Sequence, residues 1–217
     1  MAFEGPEGAG KSTQVARLAA ALRRGGRETV VTREPGGTAA GDRIRALLLD
    51  PEAAIEPVAE FLLYAAARAQ HVHERIAPAL ARGAVVLCDR YRASSVAYQG
   101  FGRGVDTEWI DAVNERATRG LRPDRTVLLD LPVEEGLARI AARGATDRLE
   151  RSDLDFHRRV RDGYRALAAE RRDWIVVDAT RDPDAVAGEV ARALAPLWPG
   201  TPTTHAPEAS DVGGVAP

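Results

Sequence analysis

Two kinds of hydrophobic pattern alternate along the chain. Four short runs, Glu28–Arg33, Ala84–Arg90, Arg125–Pro132 and Asp173–Ala179, are apolar and β-branched almost throughout. Runs without polar alternation suit strands covered on both faces, as in a parallel sheet. Between them lie longer stretches with apolar residues three and four apart: Ser12–Arg24, Thr38–Leu49, Val58–Arg82, Thr107–Arg119, Val133–Arg143, Leu154–Arg171 and Asp182–Leu197. This alternation predicts an α/β fold, a doubly wound parallel sheet with helices on both faces. Ligands of such sheets gather at the carboxyl ends of the strands. From Pro199 onward the apolar period stops and Pro, Gly, Thr and Ala dominate. The expected domain is 1–198, followed by a disordered tail, 199–217.

Composition narrows the class. The 217 residues suffice for one full core, and 45% hydrophobic with 29% charged residues is ordinary for a globular protein. The net charge of −2 argues against a general binder of nucleic acid or anionic membrane, so any phosphate site must be local. A single cysteine, Cys88, excludes an intrachain disulfide and fits a reducing, cytoplasmic setting. No run approaches the roughly 18 to 20 apolar residues of a membrane span, and the N-terminus is not a signal peptide. Among 30 Lys+Arg there is one lysine, Lys11. Arginine is the default basic residue of this chain, and lysine survives at one place.

That place is a motif. Gly5-Pro-Glu-Gly-Ala-Gly-Lys-Ser12 fits G-x-x-x-x-G-K-[ST] in full. Its glycines let backbone N–H groups cradle phosphate oxygens, and the following helix adds its N-terminal partial positive charge. Gly5, Pro6, Glu7, Gly8, Ala9, Gly10, Lys11, Ser12 and Thr13 form the expected ATP-phosphate segment. Lys11 is expected to reach the β/γ-phosphates, and the Ser12 hydroxyl to ligate Mg²⁺. A phosphate loop normally hangs from a central strand of about five or six residues. Only Met1–Glu4 precede Gly5, so the expectation is a first strand cut short, with further residues upstream.

A phosphate loop alone does not separate switch, motor and kinase. A guanine-reading N-K-x-D is absent. In "CDRYRASSVAYQG" (Cys88–Gly100), Asp89 and Arg90 end a buried strand at the ligand-bearing edge. The acid there can organise the Mg²⁺ shell, and the arginine can fork onto a second, acceptor phosphate. Ser95, Tyr98 and Gln99 share one face if the segment is helical. Tyr64 and Arg68, one turn apart, offer a stacking platform and a donor fork for a base carbonyl. On spacing alone they read equally as a core aromatic and a solvated arginine. His71 and His73 are read as surface residues, Cys88 as buried, Arg158, Arg159 and Arg161 as a solvated helix face, and Trp109 and Trp174 as packing residues.

Together "EGPEGAGKST", "TREPGGT" (Thr32–Thr38), "YAAARAQ", "DRYRASSVAYQG" and "RGATDRLE" (Arg143–Glu150) resemble the thymidylate kinase family, from the first residues to about Leu194. The resemblance implies a P-loop NTPase-type, five-stranded parallel sheet, a homodimer packed through helices, and Mg²⁺-dependent transfer of the ATP γ-phosphoryl group to dTMP. It places Glu7 at the acceptor sugar hydroxyl, Arg33 and Arg90 on the acceptor phosphate, Tyr64 stacked on thymine, Arg68 at the thymine O4 edge and Ser95 at the base. Tyr98 then lies under the sugar with Gln99 beside it, Asp89 and Ser12 hold the metal, and "DATRDP" (Asp178–Pro183) holds the adenine. With Gly8 where one branch has an arginine, the family's bacterial branch puts transition-state cations in a lid, here about 143–152, with Arg143 and Arg148 as catalytic candidates beside Lys11 and Asp89. The rival readings are a kinase for another nucleoside monophosphate or a deoxynucleoside, and a non-enzymatic nucleotide-binding module.

Overall fold

The run at 125–132 shows how the sheet is built. In the computed structural model, which describes residues 1–144 and 147–198, it becomes strand β4 (Thr126–Asp130), and Val127, Leu128 and Leu129 are all fully buried. Successive side chains point to opposite faces. Val127 and Leu129 pack with Phe3, Val15, Leu18, Leu22, Leu87 and Val190 on one side, and Leu128 packs with Tyr98, Phe156, Val160 and Tyr164 on the other. The other strands are β1 (Ala2–Glu4), β2 (Thr29–Arg33), β3 (Val85–Asp89) and β5 (Trp174–Asp178), in the order β2-β3-β1-β4-β5 with every pairing parallel.

Helices cover both faces: α1 (Lys11–Arg24), α2 (Ala39–Leu49), α3 (Pro57–His71), α4 (Ala77–Ala81), α5 (Arg92–Ser95), α6 (Thr107–Ala117), α7 (Val133–Ala141), α8 (Leu154–Ala169) and α9 (Pro183–Leu194). Their starts follow capping chemistry: Thr38, Glu56, Asp106, Asp153 and Asp182 each accept a backbone N–H of the first turn. Two π-helical stretches interrupt the pattern, Val72–Ile76 joining α3 to α4 and Val96–Gly102 continuing α5. Such stretches often mark functional positions.

β1 holds only three residues yet is the middle strand, pairing with β3 through Ala2 and Phe3 and with β4 through all three. It delivers the Gly5–Gly10 loop to the carboxyl edge between its neighbours, where β2 brings Arg33 and β3 brings Asp89. Both tail residues 199–217 and lid positions 145–146 lie outside the described residues.

Candidate active site

At that edge opens a cleft of about 480 Å³, lined from the Glu7–Thr13 loop at one end to Glu34, Pro35, Tyr64, Ser95 and Gln99 at the other. Glycine is required in the loop for two reasons. Gly8 has φ 71°, and a Cβ there would meet the Gly136 carbonyl oxygen of α7 at 2.3 Å. Any side chain at Gly8, an arginine included, is excluded by that contact. Gly10, at φ 83°, turns the chain into α1.

Lys11 is 7% exposed, and its Nζ donates to the carbonyls of Gly5 (3.0 Å) and Pro6 (2.8 Å). Burial and the nearby Arg90 guanidinium push its pKa down to about 8, against the pull of Glu7 and Asp89. Ser12 Oγ donates to Asp89 Oδ2 at 2.6 Å. These two oxygens, from α1 and the end of β3, line the cleft beside the loop. A hard-oxygen pair at this point fits a Mg²⁺ ion that keeps several of its waters.

Midway along the cleft stands Arg90, held at φ 66°, an unusual backbone conformation for a branchless but bulky residue. Its Nη1 donates to the Gly5 carbonyl (3.2 Å) and Tyr164 hydroxyl (3.1 Å), and its Nη2 to Glu7 Oε1 (2.6 Å) and the Tyr98 hydroxyl (3.0 Å). Tyr98 donates to the same Glu7 oxygen at 2.7 Å. Burial alone would raise the Glu7 pKa, but Arg90 and Lys11 outweigh it and hold it near 2. Behind Arg90, buried Glu4 accepts from the Tyr91 backbone (2.8 Å), Ser94 (2.6 Å) and Tyr164 (3.1 Å). Cys88 is buried, as read, and burial pushes its thiol pKa up.

A family model described as thymidylate kinase matches residues 3–190. The chain belongs to the thymidylate kinase family. The thymidylate kinase of Deinococcus radiodurans is 55% identical over 193 residues, 88% of this chain and 94% of that one. That of Thermomicrobium roseum is 56% identical over 190 residues, 87% and 90% of the two chains. Among solved structures, the thymidylate kinase of Ehrlichia chaffeensis aligns with a TM-score of 0.75 at 31% identity, covering 89% of this chain and 96% of its own. The five-stranded parallel sheet expected from the resemblance is the one observed.

Within this thymidylate kinase cleft the structure brings together Glu7, Lys11, Ser12, Arg33, Tyr64, Asp89, Arg90, Ser95, Tyr98, Gln99 and Arg143. Of the expected catalytic and substrate residues two stand elsewhere, and neither Gly5 and Pro6 nor the Asp178–Pro183 segment lines the cleft. Arg68 is 1% exposed beneath the cleft floor, donating to Glu34 (2.6 Å), Ser95 (3.0 Å), Asn114 (2.5 Å) and the Tyr91 carbonyl (3.2 Å). With four of its five N–H groups spent on protein, it touches the cleft through Ser95 and Glu34 rather than directly. Arg148 does not line the cleft either. Its Nε donates to the Leu48 carbonyl (2.9 Å) and its Nη2 lies 2.6 Å from Glu60 Oε2, so buried carboxylate and backbone hold the side chain away from the phosphate loop.

Other readings also shift. His71 is fully buried between Thr32 (Nε2···Oγ1 2.6 Å) and Glu34 (Nδ1···Oε1 3.0 Å), not on the surface. Glu34, His71 and Cys88 sit close enough to hold a metal, but Arg68 already neutralises the carboxylate and Cys88 donates to the Arg90 carbonyl. Arg158 and Arg159 are exposed as expected, Arg158 pairing with Glu134 and Arg159 donating to the Gly102 carbonyl, whereas Arg161 is half-buried and forks onto Asp130 (2.8 and 3.0 Å). Trp109 packs edge-on against Phe61, and Trp174 joins the same cluster. Two cleft arginines were not singled out by sequence. Arg45 donates to the Pro35 carbonyl (3.0 Å), and Arg139 links the loop to the segment after β5 through Gly8 (3.4 Å) and Ala179 (3.1 Å).

Proposed function

We infer that the chain transfers the γ-phosphoryl group of ATP to dTMP, giving dTDP and ADP. The observation that carries this is one continuous cleft with a phosphate loop at one end, a base-sized pocket at the other and Arg90 between them. An oxygen of the dTMP phosphate attacks the γ-phosphorus, a new P–O bond forms, and the bond to the β-phosphate oxygen breaks as ADP leaves. That nucleophile is already ionised, since a phosphate monoester has its second pKa near 6. No general base is required, and catalysis is alignment plus charge stabilisation.

In this reading the loop amides and Lys11 hold the donor phosphates, and Arg90 and Arg33 hold the acceptor phosphate. Glu7 and Tyr98 border the sugar, while Tyr64, Ser95 and Gln99 border the base. Arg139 and Arg143, exposed at the cleft wall, are the nearest additional cations for the transferring group. Ser12 and Asp89 would hold Mg²⁺, which when bound neutralises charge between the β- and γ-phosphates. A homodimer is part of the proposal: Leu47 of α2 and Val58 and Leu62 of α3 are 40 to 48% exposed on neighbouring helices. So is a cytoplasmic setting. Among the described residues no helix is long and apolar enough to cross a membrane.

The test is ADP release coupled to an indicator reaction, with ATP, Mg²⁺ and a panel of nucleoside monophosphates and deoxynucleosides. dTMP should give the highest kcat/KM. A clear preference for another acceptor would refute the assignment.

A further inference from the structure

Two buried charges on α3, eight residues apart, set the hydrogen-bond polarity of the base pocket. Glu60 is fully buried, and its Oε1 accepts from Gln99 Nε2 at 2.8 Å. A carboxylate ion-paired on its other oxygen with Arg148 (2.6 Å) and Arg103 (3.7 Å) can only accept. The Gln99 amide is thereby fixed with its NH₂ toward α3 and its carbonyl away from it. Gln99 is 1% exposed and lines the cleft, yet its Oε1 meets no donor among the described residues. An acceptor with no protein partner, on a residue that lines the cleft, is placed to take a ligand donor.

Ser95 shows the opposite polarity. Arg68 donates to its Oγ at 3.0 Å, so the Ser95 hydroxyl keeps its own proton to give. Ser95 is also 1% exposed and lines the cleft. The cleft is thus lined by an acceptor, Gln99 Oε1, and, one helical turn away in sequence, a donor, Ser95 O–H. Thymine carries the complementary edge, an N3–H donor beside the O4 acceptor. Cytosine reverses both, with a lone pair at N3 and an amino group at C4.

We propose that Glu60 is a specificity-determining positioning residue, which excludes cytosine by fixing the orientation of the Gln99 amide. The proposal rests on the dTMP kinase reading above. Sites built around a specific hydrogen bond reject a mismatched substrate by about 10⁴ to 10⁵. Releasing one of the two matched groups should give back part of that factor.

The experiment measures kcat/KM for dTMP, dUMP and dCMP with wild type, Glu60→Gln and Gln99→Leu. Ratios between acceptors on one preparation cancel any difference in folded fraction. In Glu60→Gln the Gln99 amide is free to take either orientation, so the dTMP:dCMP ratio should fall at least about tenfold. The dTMP:dUMP ratio should stay within about twofold, because uracil shares N3–H and O4. Gln99→Leu, which leaves the Glu60–Arg148 pair in place, should move the same ratio in the same direction. An unchanged dTMP:dCMP ratio in both variants overturns the proposal, as does an equal fall in dTMP:dUMP. If Glu60→Gln does not fold, an unchanged ratio in Gln99→Leu overturns it alone. A wild type that fails to turn over dTMP overturns the functional reading instead.

Discussion

Arg90 Nη2 donates to Glu7 Oε1 at 2.6 Å, across 83 residues of sequence, and joins the phosphate loop to the end of β3. The phosphate loop and the residue following β3 are therefore tied by one ion pair in the middle of the cleft. Because the folded pKa of Glu7 lies near 2, below its ordinary value, the pair contributes stability that is fully present above about pH 4.5. That contribution is lost as pH falls from about 4.5 toward 2. Glu7→Gln should flatten this acid limb in denaturant titrations at pH 6 and pH 3, and raise KM for dTMP. An acid limb as steep as that of wild type would show that other carboxylates dominate.

Lys11 gives the opposite end of the pH range. With its free-state pKa near 8 and a phosphate ligand favouring the ammonium, nucleotide binding takes up a proton above that pH. ADP affinity should be level below about pH 7 and weaken by up to about tenfold per unit above 8. Calorimetry in buffers of different ionisation heat measures both affinity and proton uptake. No uptake at pH 9 would mean that Lys11 is already charged in the free protein, its pKa not depressed.

The Tyr164 hydroxyl touches Arg90, Ser94 and Glu4 together, and its ring is fully buried. Tyr164→Phe keeps the packing and removes the hydroxyl's bonds to Arg90, Ser94 and Glu4, of which the one to the Arg90 guanidinium is worth about 1.5 to 3 kcal/mol. KM for dTMP should rise about tenfold, with KM for ATP within about twofold of wild type. Equal changes in both would indicate a general structural loss.

Three arginines divide the charge problem. Arg139→Ala and Arg143→Ala, at the cleft wall, should lower kcat by about a hundredfold or more between them; cationic stabilisation of phosphoryl transfer is worth up to about 10³ to 10⁵. Arg148→Ala should chiefly raise KM for dTMP, since Arg148 pairs with Glu60, which in turn holds Gln99 of the proposed base pocket. A hundredfold fall in kcat for Arg148→Ala at constant KM would instead place that side chain at the transferring phosphoryl group.

Phe3 is fully buried in the short central strand, with Leu87, Val127 and Leu129 around it. Phe3→Ala should cost about 3 to 5 kcal/mol, a fall in Tm on the order of 10 °C for a chain of this size. Thermal unfolding measures it. A shift under about 2 °C would mean that β1 is not an integral part of the core.

The four longer strands were legible because parallel strands buried on both faces leave no polar alternation, and the runs matched β2 to β5 within one or two residues. β1 was harder, since three residues carry little periodic signal and its place follows from pairing on both sides. The Arg92–Gly102 segment was read only conditionally as helix. Beside its apolar Val96, Ala97 and Tyr98, its buried residues include Arg92, Ser95 and Gln99, whose polar groups are met by α6 (Arg92) and α3 (Ser95 and Gln99). His71 illustrates the same point: Thr32 and Glu34, more than 35 residues away, make it a core residue. Among the arginines, residue type carried no information where lysine has been displaced nearly everywhere. Arg45 and Arg139 emerged only when the cleft wall was seen, and Arg68 and Arg148 moved off it for the same reason.

The displacement of lysine has a practical consequence. The guanidinium groups do not acylate under mild conditions, so the ε-amine of Lys11 is the one side-chain target in this chain for an amine-directed reagent. Its pKa near 8 supplies the neutral nucleophile at mildly alkaline pH, while its burial in the phosphate loop makes access depend on that loop. The chain thus carries a built-in chemical reporter of phosphate-loop occupancy, which protection by nucleotide and mass analysis of a single peptide can read without any introduced label.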